Sequence, residues 1–126
     1  MKNLFKNFFV IFLFIFFIFN LWSSSAYAAS EFSNAYDVTY DVRENGDTIV
    51  TQNVHLTNLT TNYYASEYSL TFGTEKIEEV SAWDGAGLLK VDVKKGTDLT
   101  QIHVVFNERV VGQGKTLNWT LRYQSD

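Results

Sequence analysis

The chain of 126 residues contains no cysteine and no proline, and its one methionine is the first residue. Without cysteine there is no disulfide to staple the fold, no thiol nucleophile and no lipobox for lipid attachment. Serine and threonine are plentiful, but no Gly-x-Ser-x-Gly elbow frames one as a nucleophile. No cluster of basic residues occurs, no internal repeat, and no helical period after the first two dozen residues. These gaps remove lipoproteins, thiol enzymes and serine hydrolases of the elbow type.

What is present begins with phenylalanine. Eight of the eleven (Phe5, Phe8, Phe9, Phe12, Phe14, Phe16, Phe17 and Phe19) fall within the first 20 residues. Lys2 and Lys6 form a positive start, an apolar run follows from Phe8 to Phe19, and residues 23–28 end in the small-x-small pattern Ala26-Tyr27-Ala28. That succession is a secretory signal, read as a signal-peptide helix over 1–28 with cleavage before Ala29. A spanning helix needs about 20 apolar residues, and Asn20 interrupts this run first; Leu21 and Trp22 leave an uncleaved anchor as the alternative. The expected location is extracytoplasmic, secreted or at the cell surface.

Removing Lys2 and Lys6 leaves eight basic residues against fourteen acidic ones, a net charge of −6 on the exported part. An acidic surface repels phosphate backbones, so nucleic acid is excluded as a partner. Roughly 98 residues remain, enough to bury about two-thirds of their unfolded surface by packing alone.

Residues 29–35 read as a polar lead-in, and 36–126 as one domain. There the pattern has period two, the mark of strands with one buried face. Tyr36, Val38, Tyr40 and Val42 alternate with Asp37, Thr39, Asp41 and Arg43, and are expected to face the core. Asn45-Gly46 suits a tight hairpin, leading to a return strand over 48–57 with Val50, Val54 and Leu56 inward. A third strand places Tyr64, Tyr68, Leu70 and Phe72 on one parity. A fourth over 77–83 slips parity between Ile77 and Val80, which a β-bulge absorbs. Leu89, Val91 and Val93, then Ile102, Val104 and Phe106, then Leu117, Trp119, Leu121 and Tyr123 supply three more. About seven short strands with regular turn signals predict an all-β fold, an antiparallel β-sandwich.

Candidate chemistry is sparse. His55 and His103 lie on the polar parity of their strands, whereas a metal site needs three or more converging ligands. Asp84, Asp92 and Asp98 sit near glycine turns with no calcium-loop spacing. Glu78 and Glu79 are neighbours, so on a regular strand they point to opposite faces. No catalytic, metal or cofactor residue is assigned, and none of these residues makes the chain an enzyme. Tyr63, Tyr64 and Trp83 are the candidate ligand contacts, an aromatic platform for sugar or peptide, although aromatics equally fill cores. Two glycosylation sequons begin at Asn58 and Asn118; Asn58 is expected in a loop and is the more accessible.

From Tyr36 onward the sequence resembles the N-terminal β-domain of bacterial exported proteins that carry a transglutaminase-like domain further along. The matching stretches are YDVTYDV (36–42), TQNVHLTNLT (51–60), NYYASEY (62–68) and VVGQGKTL (110–117). The resemblance spans about 90 residues. The papain-like core of such proteins uses Cys, His and Asp; it is not in this chain, and no catalytic residue carries over. The resemblance implies a non-catalytic module at the front of a larger envelope-associated protein, with a protein or cell-envelope component as partner and membrane attachment only through an uncleaved signal or a downstream anchor. The alternative is a stand-alone secreted domain that binds carbohydrate or peptide.

Expression in a secreting bacterial host should yield a chain starting at Ala29. Intact-mass analysis checks this, and a protein retaining Lys2 and Lys6 would establish the anchor instead.

Overall fold

Valine, threonine, isoleucine and tyrosine alternate along most of the exported part, and such side chains suit a pleated, half-buried surface. The computed structural model describes residues 30–126, so the leader expected over 1–28, its helix included, lies outside the described residues. Eight strands form: β1 (Phe32–Val42), β2 (Thr48–Asn58), β3 (Tyr64–Phe72), β4 (Ile77–Asp84), β5 (Gly87–Leu88), β6 (Lys90–Gly96), β7 (Leu99–Val111) and β8 (Thr116–Ser125). There is no helix among the described residues. The strands make two antiparallel sheets, one ordered β1-β2-β8-β4-β5 and the other β3-β7-β6.

The sheets pack face to face. Val50, Val54 and Leu56 from β2, Ala82 from β4, and Trp119, Leu121 and Tyr123 from β8 meet Ile102, Val104, Phe106 and Val110 from β7. Trp119 is 1% exposed and lies at the centre of this layer. Its ring tilts against Tyr68 at 5.3 Å and Phe106 at 5.7 Å, both on the opposing sheet. Phe72 meets Tyr123 edge-on at 5.0 Å in the same way. The Trp119 indole N–H has no hydrogen-bond partner among the described residues. An unpaired buried donor costs about 1–3 kcal/mol, so the ring is held there by its apolar surface.

The expected bulge is present. The β4–β8 register passes from Glu78↔Gln124 to Ser81↔Arg122, which inserts one extra residue in β4. Glu79 takes a positive φ of 48° there, and both Glu78 and Glu79 are exposed. The β1–β2 hairpin also forms, but only Gly46 adopts positive φ, at 93°. Its N–H donates to Arg43 O at 3.0 Å, and Arg43 N–H donates to Asp47 O at 2.8 Å. The turn is therefore a three-residue loop closed by a left-handed glycine, not a two-residue Asn-Gly turn.

Three of the differences from the sequence reading lie in β1 and β3. β1 starts at Phe32, inside the stretch read as a polar lead-in. Its even-numbered side chains take the inner parity, with Tyr36 bonded to Tyr68 and Val38 packed on the core. However, Tyr36, Tyr40 and Val42 stay 51%, 66% and 71% exposed, because β1 is the edge of a five-stranded sheet facing one of only three strands. The third difference is an irregularity in the β3–β7 pair, with the extra residues in β7. The register jumps from Ala65↔Val110 to Glu67↔Val105, so Tyr64 does not share a face with Tyr68 and stands about half exposed.

Asn58 closes β2 and is fully buried. Its backbone N–H donates to Lys115 O at 2.9 Å, and its carbonyl accepts from Gly114 N–H at 2.7 Å. Its side-chain amide donates to Tyr63 O at 2.8 Å and Val110 O at 3.0 Å, while Oδ1 accepts from Thr60 N–H at 2.9 Å. One residue thus ties the β2–β3 connection to the β7–β8 crossover. The more accessible sequon asparagine expected from the sequence is inaccessible in the fold, whereas Asn118 is exposed on β8.

Trp119→Ala should cost about 3–5 kcal/mol in urea unfolding, the range for truncating a buried large aromatic. Trp119→Phe, which keeps a ring and removes the unpaired donor, should cost less. A loss below about 1 kcal/mol for the alanine variant, typical of surface sites, would contradict the cross-sheet packing.

Candidate functional site

On the outer face of the five-stranded sheet, register decides which polar side chains become neighbours. Asp37 of β1, Asn53 of β2, Thr120 of β8 and Trp83 of β4 lie in one cross-strand row. Ala35, His55 and Asn118 make the adjacent row. Beyond Asn118 the chain of β4 has reached Gly85, where an added Cβ would meet nothing within 4 Å. Small residues at both ends of the second row leave a shallow groove of about 540 Å³.

Its polar groups are already oriented. Thr120 Oγ1 donates to Asn53 Oδ1 at 2.9 Å. His55 Nδ1 lies within hydrogen-bond reach of Asn118 Oδ1. Both amide oxygens are thus engaged within the sheet. The Asn53 and Asn118 NH₂ groups and His55 Nε2 have no partner among the described residues. The wall beside Trp83 is braced: Asp84 Oδ1 accepts from Ala86 N–H at 2.8 Å and Gly87 N–H at 3.1 Å. Asn107, carried out of β7 by its bulge, donates to Asp84 Oδ1 at 3.2 Å and Leu88 O at 3.3 Å.

The three aromatic candidates therefore separate. Trp83 is partly buried and lines the groove. Tyr63 and Tyr64 are exposed at the entry to β3, neither lines that groove, and the Arg109 guanidinium sits 5.0 Å over the Tyr64 ring. The histidines also separate, His55 on the outer face of one sheet and His103 on the other sheet. His103 Nδ1 lies 3.0 Å from Ser69 Oγ, and its Nε2 3.3 Å from Glu67 Oε2. This Ser-His-Glu line was not visible in the sequence, since Ser69 and His103 are 34 residues apart and meet only through the β3–β7 register. Of the three aspartates, Asp84 is spent on its turn, Asp92 pairs loosely with Lys94 at 3.9 Å, and Asp98 holds a positive φ of 57° in the β6–β7 turn. No group of three His, Asp or Glu converges on a common point among the described residues.

A second surface runs along the β1 edge, where Tyr36, Tyr40 and Val42 form a half-covered aromatic shelf above Tyr68 and Tyr123. Burial raises the Tyr68 hydroxyl pKa well above the ordinary tyrosine value, and the hydrogen bond and charge of Tyr36 add to this. Burial likewise raises Tyr123, with Tyr40 adding to the effect and a 3.2 Å hydrogen bond from Gln52 opposing it.

No protein-family model matches the chain, and no curated protein matches it.

Both hydroxyls hold their protons more tightly folded than unfolded. Stability from them is complete below the ordinary tyrosine value of about 10 and is lost as the pH climbs toward the folded values. Urea midpoints measured from pH 8 to 11 should therefore fall at the alkaline end, and Tyr68→Phe should flatten the fall. An unchanged alkaline slope in that variant would place the titrating group elsewhere.

Proposed function

We propose that this chain is a non-catalytic, extracytoplasmic β-sandwich module that forms the N-terminal part of a larger envelope-associated protein with a transglutaminase-like domain. The observation that carries this reading is the β1 shelf. Tyr36, Tyr40 and Val42 stand on the core-facing parity of an open sheet edge yet remain more than half exposed. An edge strand offers free backbone groups, and its aromatic inner parity offers apolar area; together they suit contact with a following domain. Asp37 and Asp41 on the outer parity of the same strand guard it against unselective pairing.

A binding role also suits the polar clusters better than turnover. Ser69, His103 and Glu67 lie in line across the β3–β7 pair, and acyl transfer needs, besides such a line, free donors converging on a developing oxyanion. The second reading, a secreted domain that binds carbohydrate or peptide by itself, draws on a separate observation, the groove beside Trp83.

The test begins with the reading frame beyond Asp126. It should continue into a domain containing Cys, His and Asp. In that longer protein Tyr40→Lys should loosen the contact between domains, seen as faster proteolysis between them. In the exported part of this chain, residues 29–126, the same change should alter stability by no more than about 0.5 kcal/mol, as at ordinary surface sites. A stop codon directly after Asp126, or a longer protein indifferent to Tyr40→Lys, would remove this reading.

A further inference from the structure

The groove on the outer face of the five-stranded sheet has features that neither the shelf nor the core requires, and we infer that it is a binding site for an uncharged glycan. The inference rests on the second reading above and gives it a place and a ligand class. Trp83 supplies the apolar ring against which the C–H face of a pyranose packs. The polar groups opposite it are of both kinds, the NH₂ donors of Asn53 and Asn118, the Asp37 carboxylate as acceptor, and the His55 ring beside them. Sugar hydroxyls both donate and accept, so this mixture satisfies them where a purely cationic or purely apolar lining does not.

Preorganisation strengthens the case. Thr120 and His55 hold the two amides in place within the sheet, which lowers the ordering cost that a ligand would meet. Charge narrows the class. Asp37 and Asp84 are the only carboxylates of the lining, and no lysine or arginine balances them. Polyanionic glycans are repelled. Backbone geometry narrows it again: in the floor of the groove β2 and β8 are interior strands whose main-chain groups pair on both sides, so an extended peptide laid over them gains no main-chain pairing there.

The exported chain can be titrated with cello-, chito-, manno- and maltohexaose, with oligogalacturonate and with a library of extended octapeptides, using isothermal calorimetry and backbone NMR shifts. At least one uncharged hexasaccharide should bind and shift the amides of residues 53, 55, 83 and 118. Trp83→Ala should weaken it about tenfold or more, the equivalent of losing one aromatic contact. Ala35→Trp, an exposed change on the edge strand that fills the groove, should abolish it and guards against a Trp83 variant that fails to fold. Tyr63→Ala and Tyr40→Lys should bind as the parent does; the latter separates this site from the shelf, so loss of the domain-contact reading would leave it standing. Binding by none of the uncharged hexasaccharides, binding of oligogalacturonate or peptide alone, or full affinity in Ala35→Trp would overturn the inference.

Discussion

Trp119 is where the two sheets meet, and most of the molecule follows from how that contact is made. A chain with no cysteine has only burial to set against the entropy of ordering about a hundred residues. The tilted rings of Tyr68, Trp119 and Phe106, with Phe72 on Tyr123 beside them, join strands from both sheets through large side chains of few rotatable bonds. The ring keeps its place although its N–H is unpaired, which shows how strongly apolar area dominates at this point. Asn58 plays the complementary part at one end of the sandwich. Its five hydrogen bonds give two of the crossovers between sheets, β2–β3 and β7–β8, a fixed geometry where packing alone would not.

The unequal size of the sheets has two consequences. Three strands cannot cover five, so β1 overhangs and its inward-facing tyrosines are left half in water. The same five-stranded sheet presents a broad outer face in which interior strands, not loops, position the polar groups. Sites on strands are held more rigidly than sites on loops. The row and column spacing of Asn53, His55, Asn118, Thr120 and Trp83 is therefore a property of the fold itself, braced on one side by Asn107.

Much of this was legible in residue order. The alternation at Val50–Val54–Leu56, Ile102–Val104–Phe106 and Leu117–Trp119–Leu121–Tyr123 gave the inner faces of β2, β7 and β8, because those strands are covered and period two maps directly onto burial. The parity slip after Ile77 announced the β4 bulge. Parity at Tyr64 misled, because the register shift at Ala65 to Glu67 is set by four looped residues of β7, far away in sequence. Exposure of Tyr36 and Tyr40 was hidden for a similar reason: alternation tells which way a side chain points but not whether another sheet lies there. Asn58 looked like loop vocabulary, and only the fold sets Tyr63 O of the β2–β3 connection and Val110 O of β7 where its amide can donate to both. The groove combines residues that each looked like solvated strand polarity; the register across β1, β2, β8 and β4 makes them a set.

Native-state amide hydrogen exchange on the exported chain tests the central claim most directly. If cross-sheet packing around Trp119 organises the stability, amides of β7 and β8 should exchange only through global unfolding, while the outer edge of β1 opens at a distinctly lower free energy. Equal protection of β1 and β8, or a β8 that opens before β1, would contradict it.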